Sequence, residues 1–143
     1  MHLVVDSREQ KPYSRDIFEP LGMVSTTKTL KTGDYSILGR EDEVAIERKS
    51  LQDLIASITK NRGRFERELQ RAQNMKFFAV VIEANYQDIK YKKYESDIEP
   101  KCIFGTIFKW TVKYNVSFIL AGNREGAALA TIKMLEGVIQ YEI

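Results

Sequence analysis

The stretch Val44-Ala45-Ile46-Glu47-Arg48-Lys49-Ser50-Leu51-Gln52-Asp53 passes from an apolar run into three charged residues and then into a helix start. Val44 to Lys49 reads as a strand. Side chains alternate along a strand, so Ala45, Glu47 and Lys49 share one face while Val44, Ile46 and Arg48 share the other. An acid and a lysine on one face at a strand end suit metal-dependent phosphodiester cleavage. The carboxylate is a hard oxygen donor for Mg²⁺ or Mn²⁺, and the ammonium neutralises charge on a phosphate. A second carboxylate stands upstream in Thr32-Gly33-Asp34, where a turn leads into the strand Tyr35 to Leu38. The plainer alternative for Glu47 and Lys49 is an ion pair on a solvated face.

Outward from this centre, Leu3 to Asp6 reads as a buried strand and Arg15 to Leu21 as a weak helix stopped by Gly22. Met23 to Leu30, rich in Thr, reads as the next strand, and 39–43 as a polar turn into Val44. A run of antiparallel strands is expected to bring Asp34 and Glu47 together. Ser50 opens a helix with Leu51, Leu54, Ile55 and Ile58 on one face, and Asp53 completes a capping box with it. Asn61-Arg62-Gly63 breaks that helix, and Arg64 to Met75 continues as another. Phe77 to Glu83 is apolar throughout, as expected of a central strand covered on both faces. Polar residues 85–97 form a loop or short helix. A helix from Pro100 to Tyr114, a strand from Val116 to Leu120 and a helix from Arg124 to Tyr141 complete an α/β pattern, a mixed sheet with helices on both faces.

The 143 residues are 43% hydrophobic and 29% charged, which suits one folded domain over 1–143 rather than a disordered chain. No apolar run reaches the length of about 20 residues that spans a bilayer, and no leader pattern opens the sequence. A single cysteine, Cys102, and a single histidine, His2, argue against an internal disulfide and a structural zinc site. An intracellular setting is expected, cytoplasmic in a microbe or virus and nuclear in a eukaryote. The formal net charge is only +2, but residues 47–76 hold eight Lys or Arg against four Asp or Glu. Positive charge thus collects beside the proposed site, where a polyanion needs it.

Gly33-Asp34, twelve intervening residues, Glu47-Arg48-Lys49, three residues and Asp53 form an ordered pattern. It resembles the nuclease motif of the XPF-type structure-specific endonucleases, and Val4-Val5-Asp6-Ser7-Arg8-Glu9 resembles that family's first strand and Asp-x-Arg-Glu signature. The resemblance is most specific over residues 4–72. It implies a restriction-endonuclease-like mixed central sheet flanked by helices, and a metal-dependent DNA endonuclease acting near flaps, forks or junctions. It also implies metal ligation by Asp34, Glu47 and the Arg48 carbonyl, with Lys49 as catalytic lysine and Asp53, Glu9 and Arg8 as further residues of the active centre. The family usually carries a tandem helix-hairpin-helix domain, and none is expected within these residues. A junction resolvase or exonuclease on the same fold, or a non-cleaving DNA-binding or scaffolding subunit, are the rival readings.

Several features keep two readings. Asp53 doubles as a helix-capping carboxylate, and Arg48 is expected to point to the opposite layer in a structural ion pair. Arg62, Arg64 and Arg67 either contact phosphates, Arg64 foremost, or solvate a helix together with Arg71 beside Glu66 and Glu68. Lys92 and Lys93, between Tyr91 and Tyr94, read as a solvated loop or as a place where an unpaired base stacks. Cys102 reads as core. The apolar stripes Ile103, Ile107, Trp110, Tyr114 and Leu129, Ile132, Leu135, Ile139 pack on the sheet. Part of them is also expected to pair two chains, as a homodimer or heterodimer through the helices after residue 100, with Trp110 as anchor.

Overall fold

A computed structural model describes all of residues 1–143. Its centre is one six-stranded mixed sheet. The strands are β1 (His2–Asp6), β2 (Val24–Lys28), β3 (Tyr35–Ile37), β4 (Val44–Lys49), β5 (Phe77–Ile82) and β6 (Ser117–Leu120), in the order β2-β1-β3-β4-β5-β6. β3 runs antiparallel to both β1 and β4, whereas β4, β5 and β6 are parallel. The expected antiparallel run fails at β2, which lies parallel to β1 at the sheet edge. The chain between β1 and β2 is a crossover through the short helical turns Ser14–Phe18 and Glu19–Leu21, the kind of connection that a parallel pair requires. Gly22, left-handed at φ 74°, ends those turns where the sequence predicted a stop.

The helices are α1 (Leu51–Ile58), α2 (Arg62–Ala72), α3 (Tyr86–Lys90), α4 (Pro100–Tyr114) and α5 (Arg124–Gln140). Ser50 caps α1 by accepting the Asp53 N–H at 3.1 Å. The break between α1 and α2 falls at 59–61, two residues earlier than the expected 61–63, and Gly63 sits inside the first turn of α2. Within the polar segment 85–97, residues 86–90 form α3, with Asn85 as its cap in a reciprocal capping box with Asp88.

Strand alternation sorts the interior into two layers. Ala45, Phe78, Val80 and Ile82 pack under α1, α2 and α4, together with Leu54, Phe65, Leu69, Ile103 and Ile107. Val44, Ile46, Ala79 and Val81 pack on the other side, with Tyr13, Phe18, Tyr35 and the α5 residues Ile132 and Leu135. β5 contributes to both layers, as expected of a covered central strand. The Trp110 indole is only 3% exposed and packs on Phe65, so it cannot anchor a partner. The outward face of α4 carries Phe108 and Val112 instead, and Cys102 is exposed rather than core.

Candidate active site

β3 and β4 place two acids side by side. Gly33 turns the chain into β3 at φ +82°, and a Cβ there would come within 2.6 Å of the Ala45 Cβ, so the close approach of turn and strand needs glycine. The approach is locked by the Asp34 N–H donating to the Ile46 carbonyl and the Asp6 N–H donating to the Asp34 carbonyl, each at 2.8 Å. Asp34 Oδ2 then accepts the Arg48 N–H at 2.8 Å. The N–H and C=O of one strand residue point the same way, so the Arg48 carbonyl faces the Asp34 side. Its guanidinium leaves through the other face.

Glu47 and Lys49 emerge on the α2 side of β4, as their alternation required. Lys49 Nζ lies 3.2 Å from Glu47 Oε2 and 4.5 Å from the centre of the Phe65 ring, which holds the ammonium over the depression. Asp34, Glu47 and Lys49 line a cavity of about 350 Å³ with Asp6, Arg8, Lys31, Asn61, Arg64, Glu68 and Arg71. Phe65 is its only apolar lining residue. Such a cavity suits a charged, hydrated ligand rather than an apolar one.

Burial dominates the titration of the two acids. Desolvation first, then the charges of Glu47 and Glu9, push the Asp34 carboxyl up to about 9. Desolvation and then the Glu68 charge push Glu47 up to about 8, even though Lys49 pulls the other way. Unfolded, both would ionise near pH 4. Between those limits the folded protein holds protons that the unfolded chain has released, so their contribution to stability falls as pH rises from about 4 to about 9. Metal-free protein is expected to lose thermal stability over that range, with a shallower slope in Glu47→Gln. Equal slopes in scanning calorimetry at pH 5 to 9 would contradict this.

The remaining predicted residues divide. Asp6 accepts from Arg8 (3.0 Å) and from the Leu30 N–H (2.8 Å), and both Asp6 and Arg8 border the cavity. Glu9 lies on the opposite side of the sheet, where it accepts the Tyr35 hydroxyl and pairs with Arg48 at 3.1 Å. Arg48 also pairs with Glu83 at 3.0 Å and lies over the Tyr13 ring, the structural ion pair expected of it. Asp53 is exposed and borders a neighbouring depression with Arg8, Glu9, Arg48 and Glu83. Arg64 lines the Asp34–Glu47 cavity, whereas Arg62 stacks on Trp110 and borders a groove between α2 and α4. Arg67 is exposed and lines neither. Lys92 and Lys93 pair with Glu99 and Asp88 away from the cavity. Lys31 had no place in the sequence reading of the site, and Glu68 and Arg71 entered it only as residues of a solvated helix face. Arg64, Glu68 and Arg71 do recur at helical spacing, the one signal that α2 turns this charged face to the strand.

The profile of the ERCC4 domain matches residues 5–132. The 3'-flap repair endonuclease Xpf of Saccharolobus solfataricus is 24% identical over 136 residues, which are 95% of this chain and 55% of that protein. The chain thus spans about half the length of this curated relative. XPF from Aeropyrum pernix superposes with a TM-score of 0.77 at 21% identity, over 97% of this chain and 65% of that one. The same protein in a complex with DNA gives a TM-score of 0.76.

Proposed function

The chain belongs to the ERCC4-domain family, and from that premise we propose that it is a divalent-metal-dependent DNA endonuclease that cuts near branches. The observation that carries this reading is the pairing of Asp34 and Glu47 across β3 and β4, with Lys49 on the same face, inside a depression that Arg8, Lys31, Arg64 and Arg71 also line. The donor set fits Mg²⁺ or Mn²⁺. Both cations take oxygen ligands and keep several waters, so two carboxylates and the Arg48 carbonyl are donors enough. When bound, the cation supplies charge to a phosphate oxygen and acidity to a water.

The chain's own residues do the rest. Asp34 is oriented by the Arg48 N–H, and Glu47 is held by Lys49. Lys49, steadied over Phe65, stands ready to offset charge that grows on the scissile phosphate. Arg64, Arg71 and Lys31 ring the depression and suit flanking phosphates. Incubation with labelled flap, fork, four-way and plain duplex DNA, with and without Mg²⁺ or Mn²⁺, tests the reading. Metal-dependent cuts near branch points are expected. No cleavage of any substrate with metal present would overturn it.

Branched DNA calls for contacts on more than one arm, and two copies of the chain supply them. The pairing surface in this proposal is the outward side of α4, where Phe104 stacks between Tyr86 (4.8 Å) and Phe108 (6.0 Å), and Val112 is 84% exposed. Light scattering across micromolar concentrations is expected to give twice the chain mass, reduced to one by Val112→Lys. A monomeric mass throughout would sink the pairing.

A further inference from the structure

We propose that Glu68 is a third carboxylate of the metal site, acting on the cation's hydration shell from α2, opposite the two strand acids. The inference rests on the metal-dependent reading above. Glu68 follows Phe65 by three residues, so the turn of α2 that packs Phe65 under Lys49 also turns Glu68 towards Glu47. Its side chain is 19% exposed, and Oε1 is buried where no protein group donates to it. A buried carboxylate oxygen without a donor is costly, and native structures retain few of them. The nearest cation among its neighbours, Arg71, stays 4.0 Å away. Meanwhile Glu68 shares the wall of the cavity with Glu47 and Asp34. Lys49 offsets part of the negative charge that the acids bring to this one cavity, and a divalent cation between them would offset the rest.

The three acids do not converge on one point as a closed ligand set would. In this proposal Asp34 and Glu47 would hold the cation directly, and Glu68 would accept from its waters. A cation that keeps several waters has protons to offer such an acceptor. Outer-shell partners of this kind typically change metal affinity by about 10- to 100-fold.

Titration calorimetry with Mn²⁺ alone, on the parent, Glu68→Gln and Glu66→Gln, tests the proposal without any turnover. Glu66 lies on the same helix but accepts the Tyr114 hydroxyl at 2.7 Å and does not border the cavity, so it is the control. Glu68→Gln is expected to bind Mn²⁺ about tenfold or more weakly, and to show a smaller Mn²⁺-induced rise in melting temperature. Its metal-free melting temperature should match or exceed the parent's, because a like charge has gone. Glu66→Gln should bind like the parent. Parent-like Mn²⁺ affinity in Glu68→Gln would overturn the assignment of Glu68 and leave the nuclease reading standing. A parent that binds no Mn²⁺ would overturn both.

Discussion

Asp34→Asn and Glu47→Gln are each expected to abolish DNA cleavage while leaving fold and DNA affinity near those of the parent. Each exchange removes one negative charge and almost no volume. Glu47 is 8% exposed and Asp34 is half-buried, so both exchanges fall inside the depression rather than on open surface. A fall of at least about a thousandfold in turnover corresponds to about 4 kcal/mol of lost transition-state stabilisation, within what a metal's charge supplies. Affinity should hold, because phosphate contacts spread over Arg64, Arg71, Lys31 and their neighbours dominate binding. Anisotropy with labelled fork DNA, read beside single-turnover cleavage, separates the two effects. Full activity in both variants would place the chemistry elsewhere on the chain. Loss of binding in step with cleavage would make the acids part of the docking surface instead.

These two acids were legible because their placement depends on local rules. Alternation along β4 decides which way Glu47 and Lys49 face, and the left-handed turn at Gly33 fits only a glycine. The apolar run of β5 likewise announces a strand covered on both sides. Glu68 was hidden for a different reason. On its helix it stands among Arg64, Glu66, Arg67 and Arg71, a composition that reads as a solvated face. Its spacing with Arg64 and Arg71 marks a single helix face, and the docking of Phe65 beneath Lys49 shows that this face meets the strand acids. Trp110 misled in the opposite sense, since a large aromatic at helical spacing serves a core as well as an interface. The parallel pairing of β2 was also out of reach. It follows from where the crossover through Ser14–Leu21 returns, and strand composition carries no sign of direction.

Arg48 separates a structural role from a chemical one within the same short motif. Its guanidinium donates to Glu83 Oε2 (3.0 Å), Glu9 Oε2 (3.1 Å) and the Lys11 carbonyl (2.7 Å), and it packs on the Tyr13 ring. Glu83 and Glu9 are only 10% and 13% exposed, and they also accept the hydroxyls of Tyr13 and Tyr35. Arg48→Ala removes the one cation that both share and leaves two nearly buried carboxylates facing each other. Breaking such a pair costs about 3 kcal/mol, which in a domain of this size lowers the melting temperature by roughly 10 °C. Arg48→Lys keeps the charge but not the planar fork that reaches both acids, so it should recover only part of the loss. The Arg48 carbonyl, the group facing Asp34, survives every substitution at this position. Folded Arg48→Ala protein is therefore expected to bind Mn²⁺ much as the parent does, at a temperature well below its own transition. Urea denaturation and Mn²⁺ titration of the same sample decide the matter. Unchanged stability with lost metal binding would move the Arg48 side chain from the scaffold into the site.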